Sequence, residues 1–313
     1  MFEAIIQAIR DNGVIILHRH WNPDGDALGS QLGLKFILQE NFPEKTVYAV
    51  GDAAGRYAFM EGSQMDMVPD EAFENALCVI LDTSARGLIS DERYAGARVT
   101  ARIDHHLFVE QIAGIEVVDS TYESCCGLIT ELALEAGLRI PLRAAQALYT
   151  GMVTDSGRFR YDATNARTFR LAAALMEQPI DTGEIYRNLY ASDLDQVKQR
   201  ARFIQKIQLT AHRVAYIYTS REEMAREDSD LFSISRGMVG VMSDIRGVDI
   251  WVNFTESDKG VLCEVRSSRY NINPIAVKYG GGGHAKASGA TVKNRAEAMR
   301  MLSDLDQLAE DNT

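Results

Sequence analysis

The 313-residue chain has few of the features that mark disulfide-bonded, zinc-binding or membrane-spanning proteins. Its four cysteines include the adjacent pair Cys125 and Cys126, and none has CxxC spacing, so we expect reduced, mostly buried thiols. No run approaches the ~18 uninterrupted apolar residues that cross a bilayer. The amphipathic first segment also lacks the basic region and apolar core of a signal peptide. We therefore expect a soluble, cytoplasmic protein with no membrane partner.

Basic residues are scarce relative to acidic ones. The 33 lysines and arginines face 44 aspartates and glutamates, which gives a formal net charge of −11 and a pI near 5.1. Proteins that grip long nucleic acids by the backbone usually carry a basic surface, so this composition excludes a long duplex as a partner. Divalent cations bound to some of the acids would reverse the charge locally, and a short anionic substrate could still be held there.

Five apolar runs of strand length are typical of a sheet that is covered on both faces. They lie at 14–17, 46–50, 77–81, 98–103 and 115–118. Helical patterns separate or follow them, among them those at 26–40, 123–136 and 142–153. Alternating strands and helices predict an α/β fold with a doubly wound, mainly parallel sheet.

The length and the 46% hydrophobic content predict about two domains. We place a catalytic, metal-binding domain at 1–188, a linker at 189–204, and a second, smaller α/β domain at 205–313. The second domain would face the first across a cleft. Its predicted strands are at 214–218, 249–254 and 261–266, and its predicted helices are at 235–246, 272–279 and 296–309.

Acidic and histidine residues follow three of the predicted strands, and one more aspartate ends a predicted helix. They are His20, Asp24 and Asp26 after the first run, Asp82 after the third, Asp104, His105 and His106 after the fourth, and Asp155 after the helix. The carboxyl ends of parallel strands meet at one edge of a sheet, so we expect these side chains to lie close together. Carboxylates this close repel one another unless a cation lies between them, and the pattern therefore predicts a metal site.

Each of these clusters also has a purely structural explanation. The sequence around Asp24 is typical of a turn, Asp26 of a helix N-cap, and Asp82 of either. Asp155, taken alone, is better explained as an acidic residue at the end of a helix. The recurrence of the same residue types at several strand ends favours the metal site, with Asp82 as a carboxylate shared by two ions.

The adjacent histidines are expected to have different roles. If the backbone stays extended after residue 104, His105 and His106 point in opposite directions, so we assign one to the metal and one to the substrate. Asp104 could orient one of them through a hydrogen bond. Mixed imidazole and carboxylate ligands suit manganese better than magnesium, and a pair of metal ions could activate a bridging water to attack phosphorus. The sequence contains no GxSxG or Walker pattern that would offer another mechanism.

A glycine-rich segment and its neighbours predict anion binding in the second domain. Glycine allows backbone N–H groups to approach an anion closely, and arginine makes bidentate contacts with phosphate. The alternatives are a flexible turn for the glycine run and a helix cap for Asn273. The candidate substrate-binding residues here are Arg266, Ser267, Asn273, Gly282, Gly283, His284 and Ser288.

Together these motifs resemble the DHH phosphoesterase superfamily. The segments HWNPDGDALGS, LDTS, DHH and TDSGRF resemble its four motifs in order, and RSS with NINPIAVKYGGGGHAKASGA resembles the associated C-terminal domain of its nucleotide-cleaving branch. The resemblance implies two manganese ions, one bound by His20, Asp24 and Asp82 and the other by Asp26, Asp82, His105 and Asp155. It places Asp82, Asp104, His105 and His106 at the catalytic centre, with His106 on the scissile phosphate. The second-domain residues named above would hold the rest of the nucleotide, and Arg158 would be a further phosphate contact.

The resemblance also implies an activity. We expect a hydrolase that degrades single-stranded oligoribonucleotides of about two to five nucleotides to nucleoside monophosphates and converts pAp to AMP. A cyclic-dinucleotide or pApA phosphodiesterase remains an alternative, and an inorganic pyrophosphatase is less favoured because the glycine-rich segment suits a nucleotide-sized partner. A non-catalytic nucleotide sensor is an alternative of a different class, which the complete set of ligand residues disfavours. A homodimer is compatible with the sequence, although no stretch marks an interface.

Overall fold

The computed structural model describes residues 1–226 and 230–312, and the chain divides into two compact units. The first unit is Met1–Ala191, and the second begins at Ser192. The first unit contains every residue that the sequence analysis assigned to the metal site.

The first unit is built on a parallel five-stranded sheet. Its strands are β1 (Val14–His18), β2 (Thr46–Ala49), β3 (Leu77–Leu81), β4 (Val99–Asp104) and β5 (Ile115–Val118). They are arranged in the order β2-β1-β3-β4-β5, and every neighbouring pair is parallel. The helices are α1 (Glu3–Asp11), α2 (Gly25–Asn41), α3 (Glu71–Glu74), α4 (Cys125–Glu135), α5 (Leu142–Asp155), α6 (Ala166–Met176) and α7 (Thr182–Tyr190).

Both faces of this sheet are covered by apolar side chains. In β1, Ile15 and Leu17 belong to the core cluster that contains α2, α4 and α5, whereas Ile16 belongs to a separate cluster with Phe73 of α3. All five residues of β3 are buried, as expected for a central strand of a parallel sheet. The predicted doubly wound α/β fold is therefore confirmed.

Helices α2 and α5 pack closely and run antiparallel. A Cβ atom on Gly25 would overlap Thr154 Oγ1, and one on Gly33 would lie 2.5 Å from the Leu148 side chain. Later positions on α2 therefore contact earlier positions on α5. This packing places the N-terminus of α2 beside Asp155, the last residue of α5.

We expect Gly29→Ala to destabilise the first unit by about 1–3 kcal/mol, the usual cost of overpacking a close contact. A Cβ atom at this position would lie 2.6 Å from the Ala147 carbonyl oxygen, a backbone atom that cannot rotate away. Urea denaturation would measure the change. Gly96→Ala is the control, since a Cβ atom there meets nothing within 4 Å. Equal stability of the two variants would show that the α2–α5 contact is less tight than described.

The second unit contains a mixed sheet flanked by helices. Its strands are β6 (Gln208–Leu209), β7 (Ala215–Thr219), β8 (Ile250–Ser257), β9 (Gly260–Ser267), β10 (Gly282–His284) and β11 (Ala287–Val292). The order is β10-β11-β9-β8-β7-β6, and only β7 and β8 pair in parallel. The helices are α8 (Leu194–Gln205), α9 (Arg221–Met224), α10 (Leu231–Ser235), α11 (Asn273–Lys278) and α12 (Arg295–Glu310). The predicted second α/β domain is confirmed.

One predicted helix of the second unit is not observed, whereas the bounds of the linker stay a prediction. Most of the predicted linker, 189–204, forms helix α8, whose Phe203 is buried in the core of the second unit. The predicted helix at 235–246 is wrong, because α10 ends at Ser235 and only a short 3-10 turn, Val239–Met242, follows. Two glycines lie in this stretch, Gly237 and Gly240, and glycine is a poor helix former. In the described part of the chain, no helix is long and apolar enough to cross a membrane.

Candidate metal centre

The predicted acidic and histidine residues meet at the carboxyl edge of the parallel sheet. His20 lies in the loop between β1 and α2, Asp82 directly follows β3, and His105 directly follows β4. Asp24 caps the N-terminus of α2, where its carboxylate accepts a hydrogen bond from the N–H of Asp26 at 2.9 Å. A helix cap is therefore present, but it is Asp24 rather than Asp26, which lies in the first turn of α2, and the capped turn orients both carboxylates toward the same place.

Two sets of ligand atoms share Asp82. The Nε2 of His20 lies 3.6 Å from Asp82 Oδ2 and 3.9 Å from Asp24 Oδ1. On the other side, the distances from His105 Nε2 are 3.4 Å to Asp82 Oδ1, 3.4 Å to Asp155 Oδ2 and 3.7 Å to Asp26 Oδ2. The structure thus brings together all the residues that the sequence analysis proposed as metal ligands.

This donor set fits divalent metal ions. The carboxylates of Asp24, Asp26, Asp82 and Asp155 converge here, and like charges at such distances repel one another without a cation. The Oδ1 atom of Asp82 is buried and accepts no hydrogen bond from the described residues, which is costly unless a positive charge contacts it. Mixed imidazole and carboxylate donors are the set that borderline divalent metals bind.

The backbone at Asp82 is strained. Its φ angle of 48° lies in the left-handed region, which costs most residues about 1–3 kcal/mol but which aspartate and asparagine tolerate better than others. The N–H of Asp82 donates to the Ile103 carbonyl at 3.1 Å, so the β3–β4 pairing continues into the turn. The sheet therefore holds the carboxylate in a direction that a relaxed strand end would not give.

Protons occupy the cluster when metal is absent. Burial lowers the pKa of His20, but the hydrogen bond and charge of Asp82 outweigh it and raise the pKa to about 9. Burial also opposes protonation of His105, yet Asp82 and Asp26 raise its pKa to about 11. Burial raises the pKa of Asp155 to about 7, with nearby carboxylates adding to the effect. The negative carboxylates thus favour positive charge at this site. Metal ions that bind here must displace the protons from His20, His105 and Asp155.

His106 faces the same centre as His105, so the predicted opposite orientation is wrong. The strand ends at Asp104, and the two imidazole rings then lie with centroids 4.7 Å apart. His106 Nδ1 lies 2.7 Å from Asp104 Oδ1 and 3.5 Å from Asp82 Oδ1. The alternation of side chains holds only within a strand, and β4 ends at Asp104, before both histidines.

A buried arginine, Arg102, pairs with the Asp104 carboxylate. Both side chains are fully buried, and Arg102 donates to Asp104 Oδ2 at 2.5 Å. Arg102 also donates to the Glu110 carbonyl at 3.0 Å. Burial raises the pKa of Asp104, but the hydrogen bond from His106 outweighs it, so the pKa is lowered. Asp104 therefore links Arg102 to His106, which agrees with the predicted orienting role. Arg102 was not predicted because it shares the segment 98–103 with the polar residues Arg98 and Thr100, and nothing there marks it as buried.

The N-terminus of α4 fixes Asp26. The carboxylate accepts the N–H groups of Cys125 at 2.7 Å and Cys126 at 2.9 Å. Both thiols are buried and form no disulfide bond, as predicted. Burial raises their pKa well above the usual value. The adjacent cysteines thus contribute backbone donors to the site, and no sequence pattern indicated this.

A second buried arginine holds the loop that carries His20. Arg19 donates to Gln31 Oε1 at 3.0 Å, to the His20 carbonyl at 3.1 Å and to Asp52 Oδ1 at 2.8 Å. The other oxygen of Asp52 accepts the N–H of Asn22, whose φ of 51° is also left-handed. Asp52 therefore secures the turn on both sides of Trp21. No sequence pattern pointed to Asp52, which lies beyond β2.

We expect Asp52→Asn to weaken metal binding by about 10- to 100-fold, the usual effect of removing a group that orients a metal ligand. The neutral amide cannot accept from both Arg19 and Asn22 as a carboxylate does, so the His20 loop loses its fixed position. Calorimetric titration with Mn²⁺ would measure the affinity. Asp66→Asn is the matched control, because Asp66 pairs with Lys35, away from this loop. Unchanged affinity in the Asp52 variant would contradict the expectation.

Arg158 lies outside the cluster in a strained turn. Gly157, Arg158 and Phe159 have φ angles of 58°, 64° and 63°, so three consecutive residues are left-handed. The Arg158 guanidinium stacks over the Tyr190 ring with its centre 4.7 Å from the ring centroid. Its position only three residues after Asp155 keeps it a candidate phosphate contact.

Most of the predicted substrate-binding residues of the second unit meet around β10 and β11. The Asn273 amide donates to the Gly283 carbonyl at 2.6 Å and to Ser288 Oγ at 3.3 Å, and Ser288 Oγ donates to the His284 carbonyl at 2.7 Å. The glycine run is thus an ordered strand from Gly282, which the sequence analysis did not predict. A strand of three residues with two glycines gives no pattern that could be recognised.

Arg266 and Ser267 lie on the neighbouring strand β9. Arg266 pairs with Glu264 at 3.0 Å and lies opposite Ala287 in the β9–β11 register. The Ser267 hydroxyl donates to the Asp249 carbonyl at 2.8 Å and accepts the N–H of Tyr270 at 2.7 Å. Arg266 is therefore placed near the glycine strand, whereas the Ser267 hydroxyl is occupied by the local turn.

The fold and the cluster define a member of the DHH family, and comparison with known proteins agrees. Residues 14–152 match the DHH family, N-terminal domain, and residues 227–311 match the DHHA1 domain. The chain belongs to this family.

Among relatives, the chain is 34% identical to the bifunctional oligoribonuclease and PAP phosphatase NrnA of Bacillus subtilis (strain 168), covering 100% of both proteins. It is 33% identical to the probable bifunctional oligoribonuclease and PAP phosphatase NrnA of Streptococcus mutans, covering 98% of each. It also resembles the crystal structure of an exopolyphosphatase-related protein from Bacteroides fragilis, with a TM-score of 0.87, 25% identity, and coverage of 99% of this chain and 97% of that one.

Proposed function

We propose that the protein is a two-metal phosphohydrolase that degrades oligoribonucleotides of about two to five nucleotides to nucleoside monophosphates and converts pAp to AMP. The observation that carries the proposal is the position of Asp82, whose two carboxylate oxygens face His20 and His105 on opposite sides. One carboxylate between two such sets is the arrangement expected for a pair of metal ions. The full-length relatives named as oligoribonuclease and PAP phosphatase support the substrate class.

Two divalent ions would be held by these residues, with manganese the favoured metal. His20, Asp24 and Asp82 would bind one ion, and Asp26, Asp82, His105 and Asp155 would bind the other. When bound, such a pair polarises phosphoryl oxygens and lowers the pKa of water toward neutrality. The carboxylates and imidazoles of this chain supply the fixed positions that this chemistry needs.

His106 is assigned to the scissile phosphate. Its Nδ1 is held by Asp104, so its Nε2 is left to donate to a phosphoryl oxygen. Asp104 stabilises the protonated ring, since the hydrogen bond raises the pKa of His106 against the effect of burial. A cationic donor at this position would stabilise negative charge that develops on the phosphorane oxygens.

Nucleotide contacts beyond the scissile phosphate are assigned to Arg158 and to the second unit. In the second unit, Asn273 and Ser288 fix the β10–β11 hairpin, where glycine leaves the backbone open to an anion. The other residues proposed to hold nucleotide are Arg266, Ser267, Gly282, Gly283 and His284. A homodimer also remains a prediction.

Hydrolysis of 5′-phosphorylated RNA from two to twenty-four nucleotides, with Mn²⁺ and with chelator, tests the proposal. We expect Mn²⁺-dependent cleavage that fades beyond about five nucleotides. The chain has a net negative charge, so it offers little positive surface to hold the phosphates of a longer strand. Cleavage that is independent of length would contradict the preference for short substrates. Cleavage of pApA or cyclic di-AMP, without activity on longer RNA, would favour a dinucleotide phosphodiesterase, and binding without any hydrolysis would favour a sensor.

A further inference from the structure

Five exposed apolar side chains border the metal centre on the first unit, and we name them the apolar rim: Trp21, Leu88, Leu107, Phe108 and Val109. Their exposed fractions run from 38% to 75%. Trp21 directly follows His20, and Phe108 lies two residues after His106. A group of large exposed apolar side chains beside polar residues usually marks a binding site. The metal centre described above makes no use of these side chains.

Hydrogen bonds hold the three segments of the apolar rim side by side. The N–H of Trp21 donates to the Leu88 carbonyl at 2.8 Å. Two residues earlier, the N–H of Arg86 donates to Glu110 Oε1 at 2.9 Å, and its guanidinium donates to the Gln111 carbonyl at 2.7 Å. The turn at 86–88 therefore joins the loop after His20 to the loop after His106, so the exposed side chains lie on three neighbouring segments.

We propose that the apolar rim binds the nucleobases of the substrate, with Trp21 and Phe108 as stacking surfaces. The inference rests on the proposed function, because it places the base beside the histidine assigned to the scissile phosphate. Every base presents a π-face, so aromatic stacking holds single strands without sequence preference. The chain carries a net charge of −11, so attraction for the phosphate backbone contributes little away from the metals. Stacking then adds affinity to that of the few cationic groups assigned to phosphate.

The size of the apolar rim favours a base over a protein partner. A stable interface uses roughly 20–30 residues on each side, whereas the rim offers five apolar side chains, with Arg86 and Glu110 beside them. A base or two would cover such a surface. A second copy of this chain is the competing occupant, and the experiments below separate the two.

Tryptophan fluorescence gives a direct test. The chain has two tryptophans, and Trp251 is buried on β8 in the second unit, so Trp251→Phe leaves Trp21 as the sole reporter. In EDTA, where turnover is prevented, we expect AMP and pApA to quench Trp21 fluorescence saturably, whereas ribose 5-phosphate at matched concentration does not. Equal quenching by ribose 5-phosphate, or no quenching by any nucleotide, would overturn the proposal.

Kinetics provide the second test. We expect Trp21→Ala and Phe108→Ala each to raise KM for pApA by about tenfold at nearly constant kcat, and to leave KM for ribose 3,5-bisphosphate unchanged. Phe108→Tyr should restore the low KM, because the ring is kept. Leu134→Ala, which removes an exposed apolar side chain on α4, is the matched control.

Sedimentation velocity on the same variants distinguishes base binding from self-association of the chain. If Trp21→Ala and Phe108→Ala convert a dimer to a monomer while KM stays unchanged, the apolar rim is a self-association surface and the proposal is wrong. Failure of the proposed function looks different. In that case the wild type hydrolyses neither RNA nor pAp, while the fluorescence experiment still decides whether the rim binds bases.

Discussion

Replacing Asp82 with asparagine should lower kcat for oligoribonucleotide hydrolysis by at least about 10³-fold, the upper end of what the loss of one group that stabilises the transition state costs. The expected effect is large because Asp82 belongs to both sets of metal ligands. Its Oδ2 faces His20, and its Oδ1 faces His105 and His106. An amide has one acceptor oxygen in place of two, so it cannot complete both sets.

Asparagine is the substitution of choice because the backbone at this position is left-handed. Asparagine tolerates a φ of 48° about as well as aspartate does, so the Asp82→Asn variant should fold with near-normal stability. Circular dichroism and urea denaturation would verify this. Asp119→Asn is a matched control: Asp119 follows β5 at the same edge of the sheet, but its carboxylate accepts from Thr121. Substantial hydrolysis by the Asp82 variant would exclude the shared-carboxylate arrangement, whatever the control does.

Removing the metal should abolish hydrolysis and lower the melting temperature. A ligand present at 100 times its dissociation constant stabilises the native state by about 2.7 kcal/mol, which is roughly 5–11 °C for a unit of this size. The reason is that the native chain gathers four aspartates that repel one another, whereas the unfolded chain separates them. Differential scanning calorimetry with Mn²⁺ and with chelator would measure the shift. In Asp82→Asn the shift should be much smaller.

The gain in melting temperature on adding metal should increase with pH. In the metal-free protein the pKa of His20 is raised to about 9 and that of Asp155 to about 7, so both groups hold protons at slightly acidic pH. Metal binding must release these protons, so affinity falls as the pH is lowered and rises as the pH passes through 7. Repeating the calorimetry between pH 6 and pH 8 tests this sign. An equal shift at both ends would show that the ligands are already deprotonated without metal, and a larger shift at the acidic end would contradict the predicted sign.

The sequence predicted the strands and the metal cluster well because both follow from local rules. A continuous apolar run marks a buried parallel strand, and the residue after such a run lies at the edge of the sheet where ligands bind. Asp82 stands at such a position and His105 directly follows strand β4, and the parallel sheet accounts for their meeting. Asp155 comes to the same point through the antiparallel packing of α5 on α2, a tertiary contact that no local pattern contains.

The missed features all depend on contacts between distant residues. Arg19 and Asp52 are paired across two strands, and the N–H groups that hold Asp26 come from a helix 99 and 100 residues away. The sequence around each of these residues does not indicate which distant residue it contacts. The orientation of His106 was mispredicted for a different reason, since it depends on where β4 ends, and strand ends are less regular than strand interiors.

The antiparallel contact between α2 and α5 also has a consequence for synthesis on the ribosome. His20 and Asp24 leave the ribosome early, but Asp155 is the last residue of a helix that becomes available only after the whole parallel sheet has been made. A nascent chain therefore has His20, Asp24 and Asp82 available first, whereas the set of Asp26, His105 and Asp155 stays incomplete until α5 docks beside α2. Translation proceeds at about 5–20 residues per second and domains tend to fold as units, so metal loading follows the completion of the first unit. The ligand set that needs Asp155 is therefore the last part of the metal centre to be completed.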